Sequence, residues 1–199
     1  MVFDSVYHEH LSYHSVKPLQ SFLRLHGLEL VEVERVTTKG GSLRATAQLA
    51  GGPRPVSPSV AELLALEEKL GLSQPETFKA FAAAIDQAKA QLLELLETLK
   101  KQGKTIAGYG ASPTVTTLLY HFDLSRFMDF IVDDNPLKHG LFSPGHHIPV
   151  YPSAVLYERK PDYVVVLAWR FSGLIVKKHQ AFLDQGGHFI VPLPKLEAL

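Results

Sequence analysis

The sequence predicts an α/β protein: a parallel sheet flanked by helices, preceded by a smaller α/β segment. Three observations lead there. Beyond Gly103, short apolar runs alternate with stretches of helical periodicity, the texture of strands joined by helical crossovers. The runs Phe130-Ile131-Val132 and Val164-Val165-Val166-Leu167 are apolar at every position, which suits strands covered on both faces. Gly108-Tyr109-Gly110-Ala111-Ser112 follows one such run and opens a helix, the place of a phosphate-binding turn in a Rossmann unit.

Residues 1–52 read as a helix around Lys17–His26 and strands at Leu28–Val36 and Ser42–Leu49. Leu19, Phe22 and Leu23 recur at helical spacing, and Gly27 supplies the stop. Leu28, Leu30, Val31, Val33 and Val36 favour a strand, and Thr37–Ser42 is a hairpin-type turn. One helix and two strands bury too little to fold alone. The segment is therefore expected to be the end of a larger α/β domain, its apolar strand faces exposed or covered by another chain. Residues 53–72 read as a linker and a short helix, since prolines and glycines crowd Gly51–Ser59 and a helical stretch follows over Ser59–Leu70.

Residues 73–199 are expected to form one Rossmann-like domain with about four or five strands. Ser73 and Glu76 have the spacing of a capping box, with Pro75 in the first turn. A helix then runs to about Gln102, with Phe78, Phe81, Ile85, Ala88, Leu92, Leu95 and Leu99 along one face. Strands follow at Thr105–Tyr109, Phe127–Asp133, Tyr163–Ala168 and His188–Val191, and helices at Thr114–His121, Pro152–Tyr157 and Ser172–Gln185.

Composition narrows the function classes. The 199 residues include 20 basic and 20 acidic side chains, so net charge gives no case for nucleic acid or an anionic membrane. With no cysteine, disulfides and thiolate metal sites are impossible. No apolar stretch approaches the roughly 18 residues that span a bilayer, and the first residues lack the pattern of a signal peptide. A cytoplasmic protein is the expectation.

The densest chemistry lies in Tyr7-His8-Glu9-His10, followed by Tyr13. Imidazole moves protons near neutral pH, a carboxylate beside it orients the ring, and a phenol donates to a developing oxyanion. Such a group can enolise a carbon acid; the plainer alternative is a solvated turn with a buried aromatic. Its place at the start of the chain leads to the expectation that something precedes it. The glycine turn has Pro113 where a dinucleotide fingerprint has its third glycine, and Asp133 stands about where a ribose-binding acid would. A tight turn without a ligand is the alternative there. For Asp133-Asp134-Asn135-Pro136 a cap or Asx-turn is the plainer reading. Lys138-His139-Gly140 and Ser143–Pro149 form a loop whose adjacent His146 and His147 diverge in most backbones, so no metal site is expected and a substrate-contacting or structural loop is. Trp169-Arg170-Phe171 ends a strand at the edge that faces the ligand crevice in open parallel sheets. Its alternative is two core aromatics and a surface charge.

Seven blocks in order carry a resemblance. They are Tyr7–Tyr13, Gly40–Arg44, Gly108–Ser112, Val132–Gly140, Pro144–Val150, Pro161–Tyr163 with Leu167–Trp169, and Gly186–Pro194. Together they resemble the C-terminal half of the S-adenosylmethionine-dependent sugar C-methyltransferases, enzymes that branch nucleotide-linked deoxysugars. The resemblance implies three modules: a zinc-binding N-terminal module, a methyltransferase domain holding the donor, and a Rossmann-like C-terminal domain that helps to hold the nucleotide sugar. This chain has no N-terminal cysteine cluster and no donor-binding glycine loop of the family type, so the S-adenosylmethionine site is not expected in it. It reads as a fragment, a split gene product or a remnant, with residues 1–52 as the end of the methyltransferase domain. Arg170 departs from the smaller polar residue usual in the family.

The implied substrate is a 4-keto sugar on a dTDP-type nucleotide. A base removes the proton at C3, and the enolate carbon attacks the sulfonium methyl group. The match places His10 as base, Tyr7 and Glu9 beside it, and His8 adjacent with a less defined role. His8 is expected to matter less than His10, because neighbours in an extended segment point apart. Gly108, Tyr109, Gly110, Ala111, Ser112, Asp133, Asn135, Lys138, His147 and Trp169 are the candidate nucleotide-sugar residues. The chain alone is not expected to methylate; a donor-binding methyltransferase domain on a separate chain and a homo-oligomer are the implied partners. The alternative is a non-catalytic Rossmann-like module that binds a nucleotide or nucleotide sugar. An NAD-dependent oxidoreductase is disfavoured by Pro113 and by the lack of a separate substrate domain.

Overall fold

The computed structural model describes residues 2–199. The chain forms two compact units, one of Leu11–Ala83, the other of Ala84–Leu199 together with the N-terminal residues up to His10.

In the first unit, α1 (Val16–Leu25) leads into the antiparallel hairpin of β1 (Leu28–Val36) and β2 (Ser42–Leu49), and α2 (Pro58–Lys69) follows. The first residues of α3 (Pro75–Lys101) belong here too. A bulge between Leu30 and Glu32 makes Val31 an extra residue in β1. The carbonyl of Val31 accepts from the Ser57 N–H at 2.7 Å, and the Val33 N–H donates to Ser59 Oγ at 3.2 Å. The start of α2 thus covers the free edge of β1. Val16, Leu30, Val33 and Val60 form a small core, with Leu23, Leu63 and Leu64 packed on it. The stretch read as linker and short helix therefore supplies part of this core. Leu43, Ala45, Ala47 and Leu49 of β2 stay exposed. The buried Glu67 caps α1 from a distance: its carboxylate accepts from the N–H groups of Val16, at 2.5 Å, and Lys17, at 2.9 Å.

The second unit is built on β3 (Ile106–Tyr109), α4 (Pro113–Phe122), β4 (Ile131–Asp133), β5 (Val150–Pro152), α5 (Val155–Arg159), β6 (Tyr163–Val166), α6 (Ser172–Lys178), α7 (Gln180–Asp184), β7 (His188–Val191) and β8 (Glu197–Ala198). The six strands lie in the order β5-β4-β3-β6-β7-β8, all parallel except β8. From β3 the chain builds outward through β4 to β5, then returns to β6 and builds the other way. That is the Rossmann order, with its switch point between β3 and β6. The fully buried Ile106, Ile131, Val164, Val165 and Ile190 form the centre of its core.

The sheet has six strands where four or five were expected, two more than the four placed along the sequence. The extra strands are β5 and β8, each only two or three residues long. Pro152 had argued for a helix start; at the sheet edge a proline costs no ladder bond. The helix expected over Ser172–Gln185 breaks at His179 into α6 and α7. On α3, Phe78 and Phe81 are exposed while Leu96 is fully buried; the expected apolar face is right for the helix from Ile85 onward. No helix among the described residues is long and apolar enough to cross a membrane.

Glu67→Ala leaves two N–H groups at the start of α1, that of the buried Val16 and that of Lys17, without their acceptors. It should destabilise the first unit by about 2 kcal/mol, read as amide exchange in α1 and β1 accelerated by roughly thirtyfold, with β3–β7 unaffected.

Candidate functional site at the edge of the parallel sheet

The C-terminal edge of the sheet is shaped by the turn between β3 and α4. Gly110 adopts φ +104°, and a Cβ there would lie 2.6 Å from that of Ala168, just beyond β6. A Cβ on Gly108 would lie 2.7 Å from Leu167 and 3.0 Å from the Met128 sulfur. Both glycines are thus required by packing, before any ligand is considered. The Ala168 N–H donates to the Tyr109 carbonyl at 3.0 Å, which closes the strand ends together at the switch point. Pro113 occupies the first turn of α4.

Asp133 is saturated from within. Its Oδ2 accepts from the Ala111 N–H at 2.7 Å and from Lys138 Nζ at 3.0 Å, and Oδ1 accepts from the Asn135 N–H at 2.8 Å. Asn135 Oδ1 in turn accepts from the Leu137 N–H at 3.0 Å. These are Asx-type turns. The carboxylate that a Rossmann unit would turn toward a ribose here staples the glycine turn to β4. Asp133 is therefore engaged within the fold rather than turned toward a ribose.

Open volume lies to one side instead. A cavity of about 290 Å³ is bordered by Ala111, Ser112, Thr116, Lys138, Phe142 and His8. His8 comes from the N-terminal segment, which runs beside α4 toward that helix's first turn. Phe3 stacks on Phe122 at 5.2 Å, and Thr117 Oγ1 donates to the Val6 carbonyl at 2.6 Å. Tyr7–His10 then forms a tight turn closed by His10 N–H to the Tyr7 carbonyl at 2.9 Å. In this turn, rather than the extended segment expected, His8 faces the cavity. The His10 ring packs on Tyr7 at 4.2 Å, and its Nδ1–H donates to the Ser5 carbonyl at 2.7 Å. A carbonyl can only accept, so the basic lone pair of His10 sits on Nε2. Glu9 is exposed, 3.9 Å from His8.

The remaining candidates are scattered. Tyr109 points away from the turn into a buried chain of polar groups, and Gly108 and Gly110 are enclosed by packing. His147 is exposed at φ +53°, outside the cavity lining. Trp169 is buried, and its Nε1–H donates to Asp4 at 2.9 Å. Among the described residues no group of His, Cys, Asp or Glu gathers as a metal site.

Sequence reasoning missed the polar chain around Tyr109. Tyr109 O–H donates to Asp134 at 2.9 Å and accepts from His179 Nε2 at 3.0 Å, while Tyr157 O–H donates to His179 Nδ1 at 3.0 Å. Lys178 closes the chain on Asp134 at 2.6 Å. Burial, the hydrogen bond to Asp134 and that carboxylate's charge push the Tyr109 phenol well up. Burial also works against the Asp134 anion, but bonds from Lys178, Tyr109 and Ser153 outweigh it and hold the carboxyl below its usual range. Burial and the nearby Lys178 charge push His179 down, against a weaker pull from Asp134. A single histidine at a helix break carries no pattern that a sequence could signal.

A family model described as C-methyltransferase C-terminal domain matches residues 37–194. The chain is 37% identical over 194 residues to the C-methyltransferase NovU of Streptomyces niveus; the match covers 97% of this chain and 46% of that protein. The chain thus spans about half the length of the curated relative it matches.

Neutral His179 makes stability pH-dependent. Its folded pKa lies below the unfolded value near 6.5, so at lower pH the unfolded chain binds a proton that the folded one refuses. Urea midpoints should therefore be level above about pH 7 and fall as the pH drops below about 6.5, with a slope of at most about one proton. His179→Gln should flatten that part of the profile and cost about 1–2 kcal/mol at pH 7.5.

Proposed function

The chain belongs to the family of C-methyltransferase C-terminal domains, and from that premise we propose that it is the acceptor side of an enzyme that methylates carbon on a nucleotide-linked 4-keto deoxysugar. The observation that carries this reading is the shared cavity: His8 from the Tyr7–His10 turn and Ala111 and Ser112 from the β3–α4 turn border the same volume. One residue of the Tyr7–His10 turn, His8, and the glycine turn, distant in sequence, thus border one volume, and the proposal sets the sugar there.

The chemistry follows from the residues. The 4-ketone acidifies C3–H. His10, with its lone pair on Nε2, removes that proton, and the enolate oxygen takes a hydrogen bond from the Tyr7 phenol. Glu9, exposed beside His8, adds a negative charge to the same turn. His8 and the Ala111–Ser112 turn position the sugar nucleotide, with Lys138 of the loop after β4 at the same cavity and Asn135 earlier in that loop. The carbon nucleophile so formed is the one that C-methylation requires. The methyl donor, S-adenosylmethionine in the family that the sequence resembles, is assigned to a donor-binding domain and to neither unit of this chain.

Titration calorimetry of the chain with dTDP should show weak binding. Thr116→Phe, which fills the cavity from α4, should weaken it at least about tenfold, an amount equal to about 1.4 kcal/mol. Unchanged affinity would move the nucleotide elsewhere.

The proton-transfer step can be read without a donor. Deuterium uptake at C3 of a dTDP-4-keto deoxysugar, followed in D2O with the chain present, should fall by at least about a hundredfold in His10→Asn, with dTDP affinity little changed. A chain that only binds would show no accelerated exchange in either form.

A further inference from the structure

We propose that Asp4 is a positioning residue: its buried carboxylate, gripped by Trp169 and Arg170, sets the register in which the Tyr7–His10 turn meets the cavity. The functional part of this inference rests on the nucleotide-sugar reading of that cavity; the structural part does not.

Asp4 is 1% exposed, near the start of the chain, where a carboxylate would ordinarily be solvated. Its two oxygens are divided. Oδ2 accepts from Trp169 Nε1–H at 2.9 Å, and Oδ1 accepts from the Arg170 guanidinium. Arg170 also donates to Ser5 Oγ at 3.2 Å and lies over the Trp169 ring at 4.7 Å. Trp169 and Arg170 follow β6 by only a few residues, so the grip is anchored at the exit of an interior strand of the sheet.

A buried ion pair is a poor source of net stability, because desolvating both charges offsets their attraction. Its better-attested use is to specify one arrangement among several. Phe3 on Phe122 would hold the segment by apolar contact, but apolar contact tolerates sliding along α4. A carboxylate with two directed partners does not. The four residues from Asp4 to His8 reach at most about 14 Å, and Thr117 ties down Val6 between them. A slip at Asp4 is therefore passed directly to His8 at the cavity wall.

The test uses the full chain, with nuclear magnetic resonance of its backbone amides and of the His8 ring, and dTDP as probe. Asp4→Asn leaves one acceptor oxygen where there were two, so Trp169 and Arg170 cannot both be served. Expected are native amide shifts in β3–β7, averaged shifts for residues 3–10, and loss of the His8 ring shift that dTDP induces in the wild type. Asp4→Asn with Arg170→Gln removes the uncompensated cation and lets two neutral amides hydrogen-bond in its place, a directed contact that should restore both signals. Should Asp4→Asn unfold the chain, Thr117→Val removes the next anchor from the α4 surface and should loosen residues 6–10 alone. Native shifts for residues 3–10 in Asp4→Asn, or no rescue in the double variant, overturn the proposal. If dTDP leaves His8 unmoved in the wild type, the nucleotide-sugar reading fails, while the ordering of residues 3–10 still decides the role of Asp4.

Discussion

The ends of β3 and β6 touch. A single methyl group on Gly110 would collide with Ala168, and what stands on this edge of the sheet is arranged around that closeness. In an open parallel sheet the switch point is where two strand ends part to make a crevice. Here a glycine at positive φ and a backbone hydrogen bond from Ala168 to Tyr109 draw them together. The usable volume is displaced to the flank of α4, where its wall comes from α4, the loop after β4 and the N-terminal segment.

That displacement explains how the polar groups of the edge are spent. A buried polar network is worth having only when its members are satisfied. Asp133 holds the glycine turn, Asn135 and Lys138 in one set of bonds; Tyr109, His179, Tyr157, Asp134 and Lys178 form another. Both networks make the β3–α4 turn rigid and leave its outer residues, Ala111 and Ser112, as its contribution to the cavity. The acid that looks like a ribose ligand in sequence is part of the scaffold that aims this turn.

The N-terminal segment completes the site from outside the sheet. It adds no strand and little core, yet Phe3, Asp4 and Val6 are each tied to α4 or to the exit of β6. Chemistry-bearing residues on a mobile arm would spend most of their time away from a substrate. Anchoring the arm at three places converts it into a wall of the cavity, and the turn that follows sets His8 at the cavity rim while folding His10 onto Tyr7 and Ser5.

Much of this was legible in the residues. Alternating apolar runs gave the parallel sheet, because strands buried on both faces leave no polar positions; the seven ordered blocks gave the family. The crowding of titratable side chains at Tyr7–His10 was visible in the residues, and the Asx reading of Asp133 and Asn135 followed from short-range turn chemistry. What sequence could not give was anything set by contact between distant segments. β5 and β8 are too short to carry a periodicity, and pairing at a sheet edge is what makes them strands. Arg170 reads as a surface charge until the fold brings Asp4 against it. His179 is one imidazole in a helical stretch until two phenols converge on it. Local spacing encodes which way a chain turns and which face is apolar; the partners of a buried polar group come from the far end of the chain, and only packing chooses them.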